Sequence, residues 1–249
     1  MRYTLILIAL VGIGCSGSSP TAPTPPPIIA NPGATIPPVT VTPPVITPPV
    51  TPTTPPVLFP PTDARFDLAF YRQFVHDALD LRGGTSALLR QPTAPRIYLR
   101  TVHQNGNPID AFTLDQTSAA LINTAGSLTG VFGLAGLERG AGSKAGEPGW
   151  ITVYWRDDPE RKFCGFAAFG GDYIDLFTNT SGCRCSGGPA VRLRTVKHEL
   201  GHALGFRHTD SPNDLMSTGN NSPCDQQPSA REIYHAAVAY TRPIGSAAP

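Results

Sequence analysis

Followed from its first residue, the chain changes its pattern of apolar and polar positions three times. Tyr3 to Ile13 is an apolar run. Residues 20–61 keep neither a helical nor a strand period and repeat Thr-Pro-Pro-Val-like units. From Asp63 onward both periods appear. Phe66, Phe70, Phe74, Ala78 and Leu81 recur at helical spacing and run into Gly83-Gly84, which predicts an amphipathic helix with a glycine stop. Ile97, Leu99 and Thr101 alternate with Tyr98, Arg100 and Val102, which predicts a strand over Arg96–Val102. Thr113–Leu128 reads as a second helix holding Leu121 and Ile122, its end weakened by Gly126. Gly130–Gly149 is glycine-rich and reads as loop with room for one short strand. Trp150–Trp155 is a strand stopped by Asp157-Asp158-Pro159. Cys164–Phe169 and Tyr173–Phe177 are two shorter strands, and Thr178–Pro189 is a loop. Val191–Leu204 and Ser229–Tyr240 are the third and fourth helices. Helices and strands are partly segregated along the chain, so the expected class is α+β.

Composition divides the chain where the pattern does. Apart from Arg2, no Lys, Arg, Asp or Glu precedes Asp63, and 17 of the 28 prolines lie between Pro20 and Pro61. Proline fixes φ and removes a donor, so residues 15–61 are expected to form a semi-rigid, polyproline-like spacer rather than a core. Residues 62–249 remain for one folded domain, long enough for a sizeable core. Arg2 followed by an apolar run too short for a resident membrane helix is an export signal. The run ends in Gly14-Cys15-Ser16-Gly17, which resembles a bacterial lipoprotein signal. That resemblance implies removal of residues 1–14, lipidation of Cys15 and a membrane-anchored location in the periplasm or on the cell surface. A plain secretory signal is the alternative.

Charge and cysteine content narrow the partners. The net charge is +1 and no basic stripe exists, which excludes the electrostatic footprint of a nucleic-acid binder. Arg192, Arg194 and Lys197 form a short basic group that reads as a solvated helix face. Without Cys15 four cysteines remain, Cys164, Cys183, Cys185 and Cys224, an even number that in an exported chain predicts two disulfides. Cys183-Arg184-Cys185 is not the C-x-x-C of zinc ribbons.

The chemistry is concentrated in His198-Glu199-Leu200-Gly201-His202-Ala203-Leu204-Gly205-Phe206-Arg207-His208. On a helix His198 and His202 stand one turn apart on one face, a spacing that chelates zinc. Glu199 is placed to act on a water rather than on the metal. Gly205 can end the helix in the left-handed conformation and let His208 swing back as a third ligand. Three imidazoles leave one position open, the mark of a catalytic zinc site. His76, His103 and His235 lack ligand spacing and read as ordinary surface or core histidines.

This pattern, followed by Asp214-Leu215-Met216-Ser217, resembles the metzincin clan of zinc metalloproteases, and His-Glu-Leu-Gly-His-Ala-Leu-Gly-Phe is most similar to its matrixin branch. The resemblance implies a zincin-like twisted mixed sheet with an antiparallel edge strand. It packs on an N-terminal helix, an active-site helix and a C-terminal helix. It also implies zinc at His198, His202 and His208, Glu199 as general base, and Met216 as the Met-turn residue beneath the metal. A protein or peptide substrate would pair with the edge strand through Phe166, Ala167 and Ala168. Thr195 and the loop from Thr209 to Asn220 would line the pocket for the residue after the cut. Thr218 stands where related enzymes carry a tyrosine. The histidines of the family's structural zinc are missing, so one zinc is expected, with calcium through Asp172 or Asp175 as a further option. Disulfides could staple the loop that such a zinc would hold, Cys224 reaching Cys183 or Cys185 and Cys164 taking the other. The expected activity is that of a metalloendopeptidase acting as a monomer, with the membrane met only through its anchor. The alternative is an inactive, zinc-stabilised binding or adhesion module on a stalk, for which an intact Glu199 would have no use.

Overall fold

A computed structural model describes residues 61–76, 87–158, 160, 163–178, 182–219, 223–247 and 249. The chain divides into Met1–Thr51 and Pro52–Pro249, and all described residues belong to the second unit. The expected signal, Cys15 and the spacer up to Pro60 lie outside the described residues. So do Ala78, Leu81, Gly83-Gly84 and Asn220.

The fold is α+β. Five strands, β1 (Arg96–His103), β2 (Gly136–Gly140), β3 (Trp150–Arg156), β4 (Gly165–Ala167) and β5 (Tyr173–Phe177), form one sheet in the order β2-β1-β3-β5-β4. Every neighbouring pair is parallel except β4–β5, which is antiparallel. The central strand β3 is buried along nearly its whole length, as a parallel strand covered on both faces must be. In β1 the alternation puts Ile97 and Leu99 fully inside. Strand β2 is the short strand for which the glycine-rich stretch left room. It is an edge strand, and a Cβ at Gly140 would meet the Tyr98 hydroxyl, which would have to shift.

The four helices are α1 (Leu68–Tyr71), α2 (Ala111–Leu128), α3 (Leu193–Ala203) and α4 (Ala230–Thr241). Helix α2 packs on β1 and α3, and α3 packs on β4 and β5. Leu114, Leu121 and Leu128 of α2 join Val196 and Leu200 of α3 and Ile151, Val153, Trp155, Ile174 and Leu176 of the sheet in one core. Polar caps set the helix starts. Asp110 accepts from Thr113 N–H at 2.8 Å, and Ser229 with Glu232 forms a reciprocal capping box.

The first helix departs from expectation. Asp67 accepts from the N–H groups of Ala69 and Phe70, so the helix opens at Leu68 rather than Phe66. After Tyr71 the coil widens into a π-helical turn, Arg72–His76. Within this turn the Phe74 carbonyl accepts from Arg207 N–H at 2.8 Å. Phe74 then stacks on Phe206 with ring centroids 4.5 Å apart. The widened turn thereby packs against the segment that follows α3.

Candidate metal centre

Helix α3 stops at a glycine. Gly205 has φ +102° and donates to the His202 carbonyl, while Phe206 N–H reaches back to the Gly201 carbonyl. This is the Schellman closure of a helix C-terminus. A Cβ at Gly205 would also run into the Leu89 carbonyl, so backbone conformation and space both demand glycine. The turn brings His208 back over the helix face. Its Nε2 lies 3.2 Å from His198 Nε2 and 3.1 Å from His202 Nε2.

The protonation of these rings follows from their other nitrogens. His198 Nδ1 lies 2.9 Å from the Leu215 carbonyl and His202 Nδ1 lies 2.8 Å from the Phe206 carbonyl. A carbonyl only accepts, so both Nδ1 atoms donate and both Nε2 atoms present lone pairs. Burial, and then the neighbouring His202, hold His198 well below the usual histidine range, so its ring stays neutral. Lone pairs that converge in this way could hold a cation between them. Nitrogen ligands at about 2.0–2.1 Å around a tetrahedral zinc stand about 3.3 Å apart, close to the spacing found here. Among the described residues these three histidines are the one group of His, Cys, Asp or Glu side chains able to hold a metal ion. Imidazoles suit zinc, copper, nickel and iron alike.

Glu199 follows His198 on α3 and lines the same cleft. Its carboxylate accepts no hydrogen bond among the described residues, and burial pushes its pKa up to about 8 against the pull of Arg194. A bound cation would favour the carboxylate and bring that value down. Gly165 of β4 makes room for this side chain: a Cβ there would stand 2.5 Å from Glu199 Cγ.

Support comes from beneath and from the side. Met216 is fully buried with its sulfur against Gly201, where a Cβ would collide with it. Glu232 of α4 accepts from Leu215 N–H at 2.9 Å and Met216 N–H at 2.8 Å, besides Ser229 N–H at 2.7 Å. It thus anchors the segment whose Leu215 carbonyl orients His198. Ser229-x-x-Glu232 is legible in sequence as a helix start; its grip on Leu215 and Met216 is not. Gln91, also missed, donates to the Ala203 carbonyl at 3.0 Å and to the Gly171 carbonyl at 3.1 Å, tying α3 to the turn after β4.

The cleft has a volume of about 640 Å³. One wall is β4 and its continuation through Phe169; the other is α3 with Ser217 and Thr218. Phe166, Ala167, Ala168 and Thr195 all line it. Among the described strands β4 pairs only with β5, which leaves its other edge open toward the cleft.

Cys164 pairs with Cys183 and Cys185 with Cys224, at Cα separations of 5.2 and 6.1 Å. Both bridges feed the first turn of α3, which lacks a side-chain cap: Arg192 N–H donates to the Cys183 carbonyl and Arg194 N–H to the Cys224 carbonyl. These carbonyls satisfy donors that a helix start otherwise leaves open. Two disulfides fit an oxidising compartment. No helix among the described residues is long and apolar enough to cross a membrane.

The expectation of a solvated basic face is overturned. Lys197 has a side chain only 3% exposed and pairs with Asp225. Arg194 donates to Gln226 Oε1 at 3.0 Å and to the Ser217 carbonyl. The cause is the bridged loop around Cys224, which folds over this side of α3. Among the described residues Asp172 and Asp175 belong to no group of three His, Cys, Asp or Glu side chains that could hold a metal ion. Asp172 accepts from Gly146 N–H at 2.6 Å, and Asp175 is paired with Arg156 at 2.7 Å. His76 and His235 are core residues, 0% and 1% exposed. His103 lies 3.7 Å from Asp157.

No family model matches the chain, and no curated protein matches it.

Proposed function

We propose that this chain is a zinc-dependent endopeptidase of the metzincin kind. The observation that carries the reading is the convergence of three imidazole Nε2 atoms, 3.1–3.2 Å apart, in a cleft that also holds an unpartnered buried carboxylate. A structural site would need the histidines but not Glu199. His198, His202 and His208 would hold the ion, and zinc there supplies Lewis acidity that lowers the pKa of a water and polarises an amide carbonyl. The open edge of β4 binds the substrate backbone as an added strand and holds the scissile amide over the histidines. Glu199 takes a proton from the attacking water and returns it to the leaving amine. Gly165 leaves the space in which that carboxylate moves. The disulfides and the Gly14-Cys15 sequence support an exported protein tethered through a lipidated Cys15, which intact-mass measurement of the exported protein checks.

The test separates ligand from base. Glu199→Ala is expected to keep one zinc per chain and lose peptide cleavage by about 10²–10⁴ in rate. His202→Ala is expected to lose both. Wild type that holds zinc yet cleaves no peptide, or a Glu199→Ala protein without metal, would refute the assignment.

A further inference from the structure

Two arginines line the cleft, and the described carboxylates that act on Arg194, Glu199 and Glu232, do so through their charge without an ion pair. Arg194 precedes His198 by one helical turn on the same face of α3, and Arg192 is the residue before the helix begins. Both line the cleft. Arg194 is fixed through Nε to Gln226 and through one terminal nitrogen to the Ser217 carbonyl, while its other terminal nitrogen makes no hydrogen bond among the described residues. Arg192 makes no side-chain hydrogen bond among them, and its Nε is shut off from solvent without an acceptor. Neither forms an ion pair among the described residues. The terminal guanidinium nitrogens that no protein acceptor takes can give an arriving anion charge-assisted hydrogen bonds. The two like charges are close enough for Arg192 to depress the Arg194 pKa, after burial itself.

The position of the pair relative to the scissile bond follows from strand direction. The open edge of β4 can take an added strand in the antiparallel sense, the sense in which β4 already pairs with β5, and a peptide bound so would run opposite to β4. Residues after the scissile bond therefore lie toward Gly165 and Cys164. Cys164 is bridged to Cys183, whose carbonyl accepts from Arg192 N–H at 2.8 Å. That end of β4 and the N-terminal end of α3 thus meet on the same side of the histidines. We infer that Arg192 and Arg194 form a carboxylate-recognising subsite for the residues following the scissile bond, so that the preferred substrates carry Asp, Glu or a free chain end there. The inference rests on the endopeptidase reading and names its substrate class. The ligand comes from another molecule or from beyond Asp63, since residues 1–62 contain no Asp or Glu.

The test uses the zinc-loaded full chain and two synthetic peptide libraries, one with amidated C-termini and one with free C-termini, with cut sites read by mass spectrometry. Cuts concentrated before or one residue before Asp and Glu in the amidated library assign an acidic side chain. Cuts confined to the last residues of the free library assign the chain end. Cuts favouring Leu, Met or aromatic residues at these positions overturn the inference. Arg194→Gln should reduce the acidic preference about tenfold, the size of one charge-assisted contact. Arg192→Glu should shift it toward Lys or Arg, a change of selectivity that misfolding cannot produce. A parallel binding measurement keeps the two claims apart. Fluorescent peptides differing only by Glu or Gln are titrated against the Glu199→Ala protein, with about tenfold tighter binding of the Glu peptide expected and a loss of that margin at high salt. Glu selectivity without any wild-type cleavage would sink the protease reading alone, whereas cleavage with equal Glu and Gln binding would sink the subsite alone.

Discussion

Helices α2 and α3 lie against each other in one core yet are stabilised in opposite ways. Helix α2 buries Leu114, Ala120, Leu121, Ala125 and Leu128, with only hydroxyls among its buried polar side chains, and has an aspartate cap at its start. Helix α3 buries Lys197, His198, Glu199 and His202 in 11 residues and starts without a side-chain cap. Burying ionisable groups costs free energy unless they are paired. Three of these four are met from outside the helix, Glu199 being left without a partner among the described residues: Asp225 pairs with Lys197, and the carbonyls of Leu215 and Phe206 take protons from His198 and His202. The bridged cysteine carbonyls take the N–H groups of Arg192 and Arg194 at its start. The lesson is that α2 is held by its own sequence, whereas α3 depends on loops distant in the chain and on whatever fills its imidazole cluster.

That contrast breaks most visibly when the metal is removed. Chelation of the zinc-loaded protein should lower the melting temperature sharply, because the ion binds the folded state alone. The same chelator should leave the melting temperature of His202→Ala unchanged. On the other helix, Leu121→Ala should cost about 2–5 kcal/mol through the cavity it leaves, yet the folded fraction should retain its metal. Denaturant unfolding combined with metal analysis reads both. A Leu121→Ala protein that loses zinc while still folded would erase the distinction between a packing helix and a chemical one.

Glu232 tests the outside support of α3. Glu232→Ala leaves the N–H groups of Leu215 and Met216 buried without acceptors, at about 1–3 kcal/mol for each such group. It also frees the Leu215 carbonyl that orients His198. Zinc affinity should therefore fall along with stability, although Glu232 is not a ligand. Lost stability with unchanged zinc affinity would show that the anchor serves folding only.

What could be read from sequence follows the same division. His198, His202 and His208 were legible because a helical repeat and one glycine fix their relation locally. The strands β1, β3 and β5 were legible because burial on a sheet imposes alternation or a continuous apolar run. The buried Lys197 and the fixed Arg194 were not, since both depend on a loop held by Cys224 some 30 residues away. Neither the cleft-side role of Gly165 nor the fit of Gly201 over Met216 leaves a periodic signal. The contact of the Phe74 carbonyl with Arg207, more than a hundred residues later, was equally hidden. Pattern reports contacts within an element; it is silent on which distant backbone atom will compete for one of them.

The smallest expected effects come from one substitution made in both helices. Gly126 lies exposed near the end of α2 with helical backbone, and a Cβ added there would meet nothing within 4 Å. Alanine restricts the unfolded chain more than glycine does and costs nothing in the folded helix, so Gly126→Ala should stabilise by about 0.5–1 kcal/mol. Gly201 has helical backbone too, and by propensity alone it should gain the same amount. Its Cβ would instead press into the sulfur of Met216, which is fully buried and held from behind by Glu232. Overpacking a filled site of this kind costs about 1–3 kcal/mol, which exceeds the propensity gain, so Gly201→Ala should destabilise. Chemical denaturation of the two variants in metal-free protein isolates the packing effect from the ligand effect. Opposite signs are expected; stabilisation by both would mean that Met216 can shift freely and that the floor of the metal centre is looser than its burial implies.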